Sequence, residues 1–316
     1  MGRVRVAVLA WLVAMASALV SVDASAGTLN PKLEAHLATL PPGADVPVIV
    51  ELTVQADPHA IAAAHAPADR RARGRAIVEA LRALANRHQP PVRALLNQEH
   101  ARNVKSFWIF NGLAATTHEA AIRRLARRDD VREVRLDNRI PRPVPRPSSV
   151  TSSSFAEPLW NIAQVRAPDV WVLGPEFTGV GGVVGIFDTG VDGTHFELAP
   201  RYRGNDAISW FDPYGEYQSP SDGHGHGTHV TGTVVGGDAI GSTIGVAPGA
   251  QWIAAKGWDD AGNATESAFH EIFQWFLAPG GDPDNAPDVV NGSWGQDPEG
   301  VCFLEFVAEW WARRDK

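Results

Sequence analysis

Residues 183–192 read Val-Val-Gly-Ile-Phe-Asp-Thr-Gly-Val-Asp. The run 183–187 is apolar and short, as a strand buried on both faces should be. It leads directly into Asp188, a small residue and a glycine. That order sets one carboxylate at the carboxyl end of a buried strand, where open α/β sheets hold their ligands. Working outward, 206–211, 251–255 and 288–294 read as further strands, and 227–235 and 265–277 as helices. Strands alternating with helices predict an α/β domain with a mainly parallel sheet from residue 155 onward.

The residues before it have a different character. The run 46–54 (VPVIVELTV) is β-branched and apolar and predicts a strand. Ile77, Leu81 and Leu84 recur at helical spacing among arginines, which predicts an amphipathic helix over 69–87. A second helix is expected over 92–102 after Pro90 and Pro91, then a strand over 106–113 (SFWIFNGL). A basic helix over 119–128 behind Thr117 and a closing strand over 131–136 complete a small α+β sandwich, bounded at 27–139. Residues 140–154 (IPRPVPRPSSVTSSS) hold four prolines and a Ser/Thr run, a composition for an extended, protease-accessible linker. At the amino terminus, Arg3 and Arg5 precede an apolar run over 6–20 and the small residues Ala24-Ser25-Ala26. This predicts a secretory signal peptide over 1–26, too short in its apolar part for the ~20 residues of a membrane span.

Charge divides along the same boundary. The chain carries −8 in all, but 27–147 hold 19 lysines and arginines against 12 acids, a net of +7. Residues 148–316 hold 7 against 23, a net of −16. Halves of opposite sign suggest two domains that attract each other. The arginines of the first half are spread over helices and lack stacking aromatics, so no nucleic-acid partner is expected. Cys302 is the one cysteine, so these residues form no internal disulfide. No histidine partner stands near it in sequence, which argues against a cysteine nucleophile.

By itself, Asp188-Thr189-Gly190 is ambiguous. The triplet resembles the aspartic-protease signature, but that chemistry needs a second such loop or a dimer, and there is no second Asp-Thr-Gly. Asp188 could equally serve as a turn residue. A second run, His224-Gly225-His226-Gly227-Thr228-His229-Val230-Thr231-Gly232, begins within 40 residues of it. A histidine of near-neutral pKa can accept a hydroxyl proton and return it to a leaving amine, and a carboxylate can fix its tautomer. The same histidines, with Asp222, are also metal-ligand types, although H-x-H-x-x-H matches no closed zinc pattern.

The core His-Gly-Thr-His-Val-x-Gly resembles the histidine motif of the subtilases, the subtilisin-like serine proteases of peptidase family S8. Asp188, then His226, with a serine to follow, is the order of that family. The run 245–250 (GVAPGA) resembles the segment leading into its next core strand, and 287–295 (PDVVNGSWG) its substrate-binding strand. Within the family the likeness is to bacillopeptidase F-like members, on Trp294, the run 276–279 (FLAP) and Trp310. The resemblance covers 155–316 and, more loosely, likens 27–139 to the family's inhibitory propeptide, of ferredoxin-like α+β fold. It implies Asp188 as the orienting acid and His226 as the general base. Gly227 would let the chain pass close to substrate, and Ser293, Trp294 and Gly295 would pair with the substrate backbone and wall its pocket. His224 is then a surface neighbour, and His229 a structural partner within its helix.

The resemblance also implies a secreted zymogen acting on protein or peptide substrates, with its propeptide docked on its own catalytic domain. No membrane attachment is expected after signal cleavage, and no cofactor is needed for the chemistry. Subtilases often bind structural calcium, but no acidic loop here is specific enough to assign a site.

Two family parts have no match. The Ala-Gly-Asn of the oxyanion asparagine and the Gly-Thr-Ser-Met-Ala of the nucleophile do not occur, while 306–316 resemble the helix preceding the oxyanion loop. In subtilisin, the source of both figures, one lost oxyanion donor costs ~10²–10³ in rate and a lost nucleophile on the order of 10⁶. A fragment is therefore expected, inactive alone and poorly folded after the linker, its unfinished sheet edge prone to aggregate. The competing expectation is a non-catalytic remnant whose first domain binds and inhibits a protease.

Overall fold

The computed structural model describes residues 27–142, 159–239 and 241–295. The expected signal peptide, most of the linker, Cys302, Trp310 and the 306–316 helix lie outside the described residues.

The first module contains, in order, β1 (Thr28–Leu29), α1 (Pro31–Leu37), β2 (Asp45–Leu52), α2 (Pro58–Ala64), α3 (Arg70–His88), α4 (Pro90–Gln98), β3 (Arg102–Phe107), β4 (Gly112–His118), α5 (Glu119–Leu125) and β5 (Val131–Leu136). Its sheet runs β1-β5-β2-β4-β3. The four longer strands are antiparallel to their neighbours, with α3 and α5 as crossovers, which is a ferredoxin-like arrangement. The two-residue β1 is added parallel to β5. Strand alternation sorts the side chains of β2: Val46, Val48, Val50 and Leu52 enter one core with α1, α4 and α5. Ile49 points to the other face and joins Phe107, Ile109 and Ala114 against the second domain.

That domain holds α6 (Trp160–Gln164), α7 (Ala167–Trp171), β6 (Val183–Asp188), α8 (Asp206–Ser209), β7 (Trp210–Phe211), α9 (His226–Val235), β8 (Gln251–Lys256), α10 (Glu266–Leu277) and β9 (Val289–Asn291). Its sheet order is β7-β8-β6-β9, with every pair parallel. β6, inside the sheet, sends Val184 and Ile186 into a core with Trp210, Val235 and Trp252. Phe187 points the other way, with ring centroids 4.6 Å from Phe269 and 5.2 Å from Phe273 on α10. Burial on both faces explains the near-continuous apolar strand.

Helix α10 divides its faces by the helical period. Phe269, Ile272, Phe273 and Phe276 are buried in the core cluster beside β6. Glu266, His270 and Gln274, four residues apart, form a stripe toward the first module. Glu266 pairs with Arg135 and accepts from Asn138 Nδ2 at 2.6 Å. His270 packs its ring against Phe107 and Phe110, and Gln274 Oε1 accepts the Trp108 backbone N–H at 2.7 Å. Further ion pairs join Lys105 to Glu271, Arg70 to Asp288 and Arg75 to Asp284. In all four pairs the cation lies on the first module and the anion on the second.

Three expectations need correction. The run 106–113 is not one strand: β3 ends at Phe107, β4 begins at Gly112, and buried Asn111 holds the turn by donating to the Val54 carbonyl at 2.9 Å. Residues 206–211 begin as a helical turn, because Arg203 gathers the Ile208 carbonyl and the Ser209 hydroxyl and curls the segment. The accessible linker does not begin at 140. Ile140 is 3% exposed in the core cluster with Trp258 and Phe269; its N–H donates to Ala264 O at 3.0 Å and its carbonyl accepts Trp258 Nε1 at 3.0 Å. The proline-rich run that follows does not prevent the isoleucine before it from anchoring.

Candidate active site

Asp188 ends β6 and His226 opens α9, so a strand terminus and a helix terminus bring the two side chains together. His226 Nδ1 lies 2.6 Å from Asp188 Oδ1. A carboxylate only accepts, so Nδ1 carries the proton and Nε2 is left with its lone pair. Asp188 is fully buried, while the His226 side chain is 20% exposed. Burial pushes the Asp188 carboxyl above its ordinary pKa, and the bonds from His226 and the Thr189 N–H oppose that shift. Its second oxygen, Oδ2, is buried without a hydrogen-bond partner among the described residues. The shared bond to His226 therefore carries much of what offsets the cost of burying this charge.

Behind the pair stands a network built on Asp222. Its Oδ1 accepts the Thr189 hydroxyl at 2.9 Å and the His224 N–H at 3.0 Å. Its Oδ2 accepts the Thr228 N–H at 2.9 Å and the Thr228 hydroxyl at 2.7 Å. Thr189 Oγ1 in turn accepts the Gly227 N–H at 2.9 Å, and Thr228 Oγ1 accepts the Asp192 N–H at 2.9 Å. Burial alone would raise the Asp222 carboxyl, but these donors outweigh it and hold it below its ordinary value. The strand-end loop and the first turn of α9 are thus tied to one carboxylate. Lys256, 1% exposed at the end of β8, adds a tie at 3.5 Å to the Thr189 carbonyl and 2.7 Å to Asp260.

Neither role is expected from the sequence, where Asp222 reads only as a metal-ligand type; its place four residues before His226 is the available signal. Gly227 also differs from expectation. A Cβ there would collide with the Gly190 carbonyl and press on Asp188, so the glycine permits helix-to-loop packing beneath the site. His224 is half-buried rather than a surface neighbour: its Nδ1 is enclosed without a hydrogen-bond partner among the described residues, and its ring lies 6.3 Å from that of His226. His229 is exposed on α9 rather than a structural partner. Among the described residues no three His, Cys, Asp or Glu side chains converge as metal ligands would, and no helix is long and apolar enough to cross a membrane.

Of the expected substrate-binding residues, Ser293 and Gly295 are exposed and Trp294 is half-buried between them. They follow β9, whose last pairing sets Asn291 opposite Ile186, two residues before Asp188. Trp294 faces the core: its Nε1 donates to the Phe187 carbonyl at 2.8 Å, and its ring lies 4.8 Å from Phe269 and 5.0 Å from Phe187. The indole fastens this segment to the strand bearing Asp188. Ser293 Oγ is 2.9 Å from Asn291 Nδ2.

An imidazole with its Nδ1 proton held by a buried carboxylate and its ring partly open to solvent is equipped as a general base. Residues 179–309 match the model of the subtilase family, peptidase S8. Over 70% of its length the chain is 34% identical to bacillopeptidase F of Bacillus subtilis, and over 68% it is 28% identical to subtilisin E of the same species. It spans 17% of the former and 50% of the latter. Among solved structures, fervidolysin of Fervidobacterium pennivorans, a keratinolytic enzyme related to subtilisin, matches 86% of the chain with a TM-score of 0.53 at 18% identity, over 39% of its own length. At that identity the match speaks for fold alone. By the match to the family model, residues 179–309 carry a peptidase S8 subtilase domain.

Proposed function

We propose that the chain is the front part of a secreted serine endopeptidase zymogen acting on protein substrates. The observation that carries this is the 2.6 Å pairing of His226 Nδ1 with a buried Asp188 at the carboxyl end of a parallel strand. In the complete reaction His226 Nε2 takes a proton from a serine hydroxyl and returns it to the leaving amine, while Asp188 stabilises the imidazolium. The 316 residues contain no serine or oxyanion asparagine in the family context, so this polypeptide alone hydrolyses nothing.

Residues 27–139 act as an inhibitory propeptide. Support comes from the basic-to-acidic ion pairs, the stripe on α10, and the segment 138–142 lying against 264–266. The apolar, small-residue-terminated run at 1–26 supports export, and cleavage of the linker would release the enzyme. In the test, purified 27–316 is assayed for peptidase activity sensitive to serine reagents, and 27–139 is titrated against a mature subtilase. No activity from the first and inhibition by the second are expected. Hydrolysis by 27–316 would refute the inactivity, and failure of 27–139 to inhibit would refute the propeptide assignment.

A further inference from the structure

Residues 138–142 lie along residues 262–266 of the second domain. Glu266 N–H donates to Asn138 O at 3.0 Å, Arg139 bridges antiparallel to Thr265, and Ile140 N–H donates to Ala264 O at 3.0 Å. Burial alternates as an extended chain requires: Ile140 is buried, Pro141 exposed and Arg142 half-buried. Backbone bonds of this kind accept any sequence, so selectivity falls to the side chains on the inward positions. The first of these, Ile140, enters an apolar hole beside Trp258, Ala264 and Phe269.

The second has different surroundings. Arg142 lies over the backbone of Gly262, where a Cβ would stand 3.0 Å from its guanidinium carbon, and Nη1 is 3.5 Å from the Asp260 carbonyl oxygen. Gly262 has φ +82, so the bare backbone that accepts the guanidinium plane is also conformationally required. Asp260 and Glu216 supply negative charge: Asp260 pairs with Lys256 at 2.7 Å, and Glu216 Oε2 is 3.1 Å from the Asp260 N–H and 3.6 Å from Lys256 Nζ. Two carboxylates against one ammonium leave an uncompensated negative charge. Asp260 Oδ1 packs against Gly223, where a Cβ would collide with it. Gly223 lies three residues before the candidate base, so this inward position lies beside the reacting centre.

We propose that Asp260, Glu216 and the bare backbone at Gly262 form a subsite for a basic side chain, making the preferred substrates chains with arginine or lysine two residues after an apolar anchor. The proposal rests on the zymogen reading, in which 138–142 occupy the substrate groove. It goes further by naming the side-chain chemistry next to His226.

The test uses the 27–316 chain. Exchange of the Ile140 amide is measured in wild type, Arg142→Lys, Arg142→Gln, Arg142→Glu, and the same series with Asp260→Asn. Wild type and Arg142→Lys should be equally protected. Arg142→Gln should exchange about 3-fold faster and Arg142→Glu about 10-fold faster, the scale of a partly exposed charge contact. Asp260→Asn should shrink those differences to within about 2-fold. In a second arm, Ile140→Gly/Arg142→Gly disengages the segment, and acetyl-Arg-Ile-Pro-Arg-amide is compared with acetyl-Arg-Ile-Pro-Glu-amide by protection of amides 258–265. The arginine peptide should protect at about 10-fold lower concentration, a difference of ~1.4 kcal/mol. An Ile140 amide that is protected but indifferent to residue 142, or equal uptake of the two peptides, overturns the subsite alone. An Ile140 amide unprotected in wild type overturns both the subsite and the docked segment beneath it.

Discussion

Gly227 packs directly against the Gly190 carbonyl, so the first turn of α9 rests on the loop that follows Asp188. The contact leaves no room for a methyl group, and the obstacle is backbone rather than a side chain that could turn away. Gly227→Ala should therefore cost about 3 kcal/mol, the upper range for overpacking, and lengthen the His226–Asp188 contact. Chemical denaturation with NMR of the imidazole protons checks both. A loss under ~0.5 kcal/mol would mean that the helix start is looser than this packing implies.

Asp222 and Asp188 should give opposite pH signatures. Asp222 is held below its ordinary value of 3.8 in the folded state, so its contribution is present above that pH. It is lost as pH falls through the folded value. Asp222→Asn should flatten the acid limb of stability below about pH 4 and cost ~1–3 kcal/mol at neutral pH through its four donors. Asp188 is raised by burial, so its contribution favours folding below 3.8 and diminishes as pH climbs through the folded value. Asp188→Asn should be closest to wild type in stability at neutral pH and comparatively less stable in acid. Urea titrations at several pH values read both slopes.

The Arg135–Glu266 pair has side chains 9% and 4% exposed and joins the two domains. Removing one partner strands a buried charge. Arg135→Ala or Glu266→Ala should therefore cost about 3–5 kcal/mol, while the double change Arg135→Met/Glu266→Leu should cost less than either. Unfolding of the 27–316 variants measures this, with protease sensitivity of the 138–142 segment as a second readout. Equal costs for the single and double changes would show that the pair is solvated.

Much of this was legible because chemistry and periodicity coincided. Val183–Asp188 announced its strand by composition, and Asp188 and His226 were marked by motifs whose geometry the fold then supplied. The ferredoxin-like order was implied by resemblance rather than readable from pattern. The β3–β4 turn is hidden because 106–113 is mostly apolar, and its partners are distant: Asn111 bonds the Val54 carbonyl, and Gln274, more than 160 residues away, takes the Trp108 N–H. Ile140 looked like linker for the same reason: its pocket is made by Trp258 and Phe269, which no local window includes. The tying of two loops by Thr189 and Asp222 is a property of placement rather than residue type, so no motif marks it.

The pairing of His226 with Asp188 is tested most directly by proton NMR of the 27–316 chain, which needs no nucleophile. Nδ1–H held by a buried carboxylate should give a far-downfield resonance that survives added zinc and chelator. It should disappear in Asp188→Asn and in His226→Gln but persist in His224→Gln and His229→Gln. A resonance absent from wild type, or one that vanishes with His229 or shifts with zinc, would contradict the assignment of His226 as a carboxylate-held base.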